Sequence, residues 1–225
     1  MSAAEHRRPL RLGVLASGRG SNLQAIIDAV EAGALRAEIA LVLSNKSDAV
    51  ALERARRHKV EAVFLDPRPF KERPDAREAY DRAILEVLRG RDVELVVLAG
   101  YMKIVTSVLI GAYENRMMNI HPSLLPSFPG LDVQKKALEW GVKLAGCTVH
   151  FVTEGVDEGP IIIQAAVPVR DDDTTETLSA RILAEEHKIY PRAIRLYAEG
   201  RLRVEGRRVR VLGEEPAPGA VLSNP

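Results

Sequence analysis

Cysteine is almost missing from this chain: Cys147 is the one thiol in 225 residues. No internal disulfide can form, and a lone cysteine among apolar neighbours reads as a small buried side chain rather than a nucleophile. Long hydrophobic runs are missing too. None approaches the roughly 18 apolar residues that a membrane-spanning helix needs. The first nine residues are polar and lack the apolar centre of a secretory signal. Charge of one sign is also lacking, since 32 Lys and Arg face 31 Asp and Glu for a net charge of +1. That balance removes any bulk electrostatic reason to favour nucleic acid. The expectation is a protein of a reducing, cytoplasmic setting with neither membrane nor nucleic acid as partner.

What is present is a hydrophobic share of 46%, enough for a sizeable core in one large domain. Apolar runs at 10–16, 39–43, 61–65, 95–98 and 117–120 predict strands. Helical spacing at 21–33, 49–58 and 77–88 fills the gaps between them. Residues 66–74 hold three prolines and several charges and read as a surface loop. Strand–helix alternation of this kind predicts a Rossmann-like α/β fold, a doubly wound and mostly parallel sheet with right-handed crossovers. Residues 101–105 are expected to enter a short helix, and 133–140 another, ended by Gly141. Beyond them, 146–152 and 161–169 predict an antiparallel hairpin with a wide turn. A long C-terminal helix follows from 174 to 198, bent near Pro191, with Asp173 and Glu176 as its cap. Glu186 and His187 fall on its solvated face by default. We expect the main domain to span 1–200 and a C-terminal extension to span 201–225. The extension reads as a small exposed hairpin at 201–212 and a loose tail at 214–225.

Two stretches carry chemistry. The first is Ser17-Gly18-Arg19-Gly20-Ser21-Asn22, directly after the first strand. A glycine-rich turn that opens a helix presents unpaired N–H groups and a positive dipole end, which suits an anion. Ser21 and Gln24 fit a capping box. The dinucleotide fingerprint is incomplete, because Leu23 stands where its third glycine would fall and the second strand ends in Ser44-Asn45 rather than an acidic residue. The lysine of a P-loop is absent. A single phosphate therefore fits better than NAD or a nucleoside triphosphate.

The second stretch is Asn119-Ile120-His121-Pro122. Alternate residues of a strand leave the same face, so Asn119 and His121 point one way, roughly 6.6 Å apart along the chain. An amide donor then lies beside an imidazole that can move protons near neutral pH, at the strand end where open α/β sheets place their ligands. Asp157 and Glu158 lie in the later wide turn, where local pattern makes them solvated. The run Asp171-Asp172-Asp173 reads as cap and dipole partners of the helix behind it, so no metal is expected.

Four stretches together resemble the phosphoribosylglycinamide formyltransferases of the formyl transferase family. They are Gly18 to Ala25, Ala99-Gly100-Tyr101-Met102, Asn119 to Pro126, and His150-Phe151-Val152-Thr153 with Asp157-Glu158-Gly159-Pro160. The resemblance covers residues 10–200. It implies formyl transfer from 10-formyltetrahydrofolate, as co-substrate, to the amine of glycinamide ribonucleotide in purine synthesis, without a metal. It leaves a homodimer open. By position it implies Gly20, Ser21 and Asn22 at the substrate phosphate and Glu186 at the ribose. It implies Arg77, Met102, Lys103, Ile104, Val105, Asn119, Thr153, Glu154, Gly155, Val156 and Asp157 at the folate. Asn119, His121 and Asp157 would be the catalytic group. A formyltetrahydrofolate deformylase is the rival within the same chemistry, and the short segment ahead of the first strand disfavours it.

Overall fold

Residues 8–213 are described by the structure, a computed structural model. Nine strands among them form one sheet in the order β3-β2-β1-β4-β5-β6-β7-β9-β8. β1 (Leu10–Leu15), β2 (Ala37–Ser44), β3 (Ala62–Phe64), β4 (Leu95–Leu98) and β5 (Met117–His121) run parallel. β6 (Leu144–Phe151) and β7 (Ile161–Pro168) form the expected antiparallel hairpin beside β5. Strand order turns back between β1 and β4. In a doubly wound sheet that reversal opens a crevice at the carboxyl edge.

Both faces of the sheet are covered, which is why its central strands read as unbroken apolar runs. α1 (Ser21–Glu31), α2 (Val50–Arg57), α5 (Val133–Glu139) and α6 (Thr175–Ala198) pack on one face with Leu12, Val14, Val42 and Met118. α3 (Ala76–Arg89) and α4 (Ser107–Ala112) pack on the other with Leu15, Leu41, Val96 and Met117. β8 (Leu202–Glu205) and β9 (Arg208–Val211) make the hairpin expected at 201–212. It is not separate, because Arg208 of β9 pairs with Ile161 of β7 and carries the main sheet on. The tail expected at 214–225 lies outside the described residues.

Three local expectations are corrected. α1 starts at Ser21 itself, so Ser21 cannot be its cap. Gly20 takes that place in the left-handed region at φ 70°, and no side chain caps the helix. Gln24 is drawn instead to Arg54, Asp28 and His58. At α6 the cap is Thr174, one residue later than expected, in a reciprocal box with Thr177. Asp173 is held by the guanidinium of Arg181 at 2.7 Å, and that pairing keeps its carboxyl well below the usual range. Residues 101–105 are not helical. The Met102 N–H is taken by the Ser17 hydroxyl at 2.9 Å, and the real helix waits for its cap at Thr106. Pro191 lies inside α6, which continues through it to Ala198.

Candidate active site

The crevice between β1 and β4 is closed by a polar stitch. Ser17 donates its N–H to the Gly100 carbonyl at 3.0 Å and its hydroxyl to Asn45 at 2.6 Å. On the β1 side of that stitch the chain turns through Gly20 into α1. Only glycine fits there, for two independent reasons. Its φ is positive, and a Cβ would lie 2.9 Å from the Cα of Ala51. With no side-chain cap, the N–H groups of Ser21, Asn22 and Leu23 face outward from the first turn without intrahelical acceptors.

Asn22 is buried beside them. Its amide Nδ2 donates to Glu186 of α6 at 2.6 Å, and its Oδ1 has no partner. Glu186 is therefore not on a solvated face, since only 7% of its surface remains exposed. Burial raises its carboxyl above the ordinary 4.5, against the opposing bond from Asn22. His187, also expected on that face, is half-buried, with a ring nitrogen that lacks a partner. A carboxyl raised in the folded state costs stability as pH climbs from its unfolded value through its folded one. Glu186→Gln is thus expected to melt at a higher temperature than the parent protein at pH 8. That advantage should close below pH 4.5, which thermal melts across the range will measure.

On the far side of the stitch, β5 carries Asn119 and His121 on one face, as the strand alternation predicts. Their partners come from elsewhere. Register places Asn119 opposite His150 of β6, with the amide Nδ2 3.3 Å from the ring Nε2. The other ring nitrogen of His150 faces the Phe151 carbonyl at 2.8 Å. A carbonyl only accepts, so that nitrogen carries the proton and Nε2 offers its lone pair to Asn119. Burial lowers the pKa of His150 and favours this neutral form. One N–H of the Asn119 amide is thereby fixed, and the other is unspent.

His121 is buried, with Nε2 3.0 Å from the Phe128 carbonyl and Nδ1 3.3 Å from Asp157. The Phe128 carbonyl is a hydrogen-bond partner of Nε2, and the Asp157 carboxylate faces Nδ1 at ion-pair distance. Asp157 sits at φ 58°, a left-handed conformation that aspartate tolerates better than most residues. Its Oδ2 also accepts the Gly130 N–H at 2.9 Å, and its Oδ1 lies 3.7 Å from His150. The turn that carries it can close because Gly159 has no Cβ, which would otherwise collide with the Phe151 carbonyl.

These side chains line a cavity of about 510 Å3, which suits a small organic ligand. Met102, Lys103, Ile104 and Val105 form one wall and Thr153, Glu154, Gly155, Val156 and Asp157 another. Met102, Ile104, Leu131 and Val156 are exposed apolar residues around it. Arg77 is not among the lining residues. It borders an adjoining cavity of about 440 Å3 that shares Met102, Lys103 and Ile104. Gly20, Ser21, Asn22 and Glu186 form a separate cluster across the Ser17–Gly100 stitch. Tyr190, one turn after Glu186, lies 3.0 Å from both the Leu98 and Met118 carbonyls and anchors α6 behind the strand ends between the clusters. Among the described residues no group of three or more His, Cys, Asp or Glu could hold a metal ion, and no helix is long and apolar enough to cross a membrane.

A mostly parallel α/β sheet with an amide, two imidazoles and a carboxylate over an open cavity is the framework of a group-transfer enzyme. Residues 10–194 match the formyl transferase family model, and the chain belongs to that family. It is 44% identical over 195 residues to the phosphoribosylglycinamide formyltransferase of Escherichia coli, covering 87% of this chain and 90% of that protein. It is 48% identical over 195 residues to the trifunctional purine biosynthetic protein adenosine-3 of Drosophila pseudoobscura pseudoobscura. There the match covers 86% of this chain and spans only 14% of the relative's length. The fold superposes on a glycinamide ribonucleotide transformylase 1 structure from Symbiobacterium toebii with a TM-score of 0.89 and 56% identity. That match covers 94% of this chain and 100% of that one. The family and the fold expected from the motifs are both borne out.

His150 opens the fourth of the resembling stretches, but it is the site residue to which sequence reasoning gave no role. Its spacing within β6 carries no signal, since its meeting with Asn119 depends on cross-strand register. The backbone acceptors and donors at Phe128 and Gly130 leave no trace in residue type either.

Proposed function

We propose that this chain transfers the formyl group of 10-formyltetrahydrofolate to the amine of N1-(5-phosphoribosyl)glycinamide. One observation carries the reading. Asn119, His121 and Asp157 meet on the wall of a single cavity, and the unspent N–H groups of an uncapped helix start lie on the same carboxyl edge of the sheet. Relatives named for this reaction support it.

The amine nitrogen attacks the formyl carbon, and the carbonyl electron pair moves onto the formyl oxygen. The second Asn119 N–H and the Nε2–H of His121, released from the Phe128 carbonyl, donate to that oxyanion. Donors of this kind are worth about 3–4 kcal/mol each when aimed at developing charge. Asp157 stabilises the imidazolium and fixes its orientation. His121 gives its Nε2 proton to N10 of the folate as the old carbon–nitrogen bond breaks, and the ring nitrogen so freed takes the proton that the attacking amine loses. The substrate phosphate rests on the N–H groups of Ser21 and Asn22 after the Gly20 turn, with the ribose against Glu186. The pteridine and its tail occupy the walls built by Met102 to Val105 and Thr153 to Asp157, and Arg77 meets the far end of the tail.

Mixing the protein with 10-formyltetrahydrofolate while following the folate absorbance tests this directly. Rapid change only with the ribonucleotide present is the expected result. Equal loss of formyl-folate without any amine acceptor would make water the acceptor and the reading wrong. Gly20→Val is expected to weaken ribonucleotide binding by at least about tenfold while folate binding holds, because the new side chain strains the loop and meets Ala51. Calorimetry with each ligand separates the two, and equal loss of both would remove the phosphate from this loop.

A further inference from the structure

The loop ahead of α1 is held from behind, and nothing in the chemistry above uses the residues that hold it. Arg54, in the second turn of α2, donates from Nε to the Arg19 carbonyl at 2.8 Å and from a terminal guanidinium nitrogen to Gln24 Oε1 at 3.0 Å. One turn earlier, the Ala51 N–H donates to the Gly18 carbonyl at 3.1 Å. Two successive carbonyls are therefore drawn toward α2. In a planar trans peptide the C=O of one residue and the N–H of the next point in opposite directions. Tying back the Gly18 and Arg19 carbonyls thus turns the N–H groups of Arg19 and Gly20 away from α2. Neither has an acceptor among the described residues, and neither do those of Ser21, Asn22 and Leu23. Gly20 packs directly on Ala51, so the loop cannot relax in that direction.

We propose that Arg54 is the positioning residue of this anion loop: its planar fork sets the orientation of consecutive backbone N–H groups so that they converge on a phosphate. Arginine suits the task because one rigid group spans two acceptors, the backbone carbonyl of Arg19 and the Gln24 side chain that rises from α1. The loop and the helix it opens are thereby locked to each other through α2. Lysine could keep the charge near the loop but not both bonds. The ribonucleotide assignment rests on the function proposed above; the orientation of the loop does not.

The test uses Arg54→Lys and Arg54→Met in the full chain. Both are expected to raise the KM for the ribonucleotide and the inhibition constant of inorganic phosphate by roughly tenfold, the scale of one lost charge-assisted hydrogen bond. The kcat at saturation and the folate KM should stay within about twofold. Rescue by lysine would overturn positioning in favour of simple charge attraction. Parallel loss of folate affinity, kcat and thermal stability would overturn it in favour of a merely structural role. Unchanged phosphate inhibition in both variants would overturn it outright. If the parent protein binds inorganic phosphate but does not formylate the ribonucleotide, the proposed function fails while the phosphate titration of the variants still decides the role of Arg54.

Discussion

His121→Ala is expected to lower kcat by about 10^3-fold while the folate dissociation constant moves by less than about threefold. The imidazole is asked for two things that matter only once the reaction is under way. It donates to the oxygen that gains charge, and it gives a proton to the leaving nitrogen before taking one from the amine. Neither is needed to hold the pteridine, whose contacts come from the two cavity walls. The ring is buried between two acceptors, so its removal takes a donor from the Phe128 carbonyl and the ion-pair partner from the Asp157 carboxylate. Single-turnover kinetics with fluorescence titration of the folate separates rate from affinity. A loss confined to KM would make His121 a binding residue only.

Asp157→Asn is expected to cost about 10^2-fold in kcat with little change in stability or folate binding. The substitution suits the question because asparagine accepts a left-handed backbone as readily as aspartate and keeps an oxygen for the Gly130 N–H. What it removes is the negative charge beside His121. The His121 ring then loses the carboxylate that orients it and offsets the positive charge it carries during proton transfer. Full activity in the variant, measured at saturation with both substrates, would take the carboxylate out of the mechanism.

The parallel half of the sheet was legible because its central strands are covered on both faces. Runs such as Leu95-Val96-Val97-Leu98 have no polar alternation to confuse them. Asn119 and His121 were legible for the opposite reason, as polar residues two apart in such a strand. Asp157 was silent by local pattern. Its part depends on a turn that folds back across 27 residues to Gly130, and resemblance alone pointed to it. Glu186 is similar, since the second of two adjacent glutamates in a polar stretch of helix gives no sign that α6 lays it against the buried amide of Asn22. The caps failed at both ends of the chain because motifs for them overlap. Ser21-x-x-Gln24 has the form of a capping box, yet the turn needs a left-handed residue and Gly20 supplies it, which also leaves the first N–H groups uncovered. Asp173 could have capped α6, but Arg181 claims its carboxylate and Thr174 takes the role. Residues 101–105 held enough apolar character for a helix, and a single hydroxyl from Ser17 settled otherwise.

The central claim is that the amide of Asn119 and the imidazole of His121 act on one and the same formyl oxygen. A double-mutant cycle measures it, with the single-turnover rate of formyl transfer followed in Asn119→Ala, His121→Ala and the combined variant, each saturated with both substrates. Groups that act as a unit lose their effects together, so the combined variant is predicted to be only a little slower than the slower of the two single variants. A combined loss equal to the product of the two separate losses would show two independent sites of action and contradict the account.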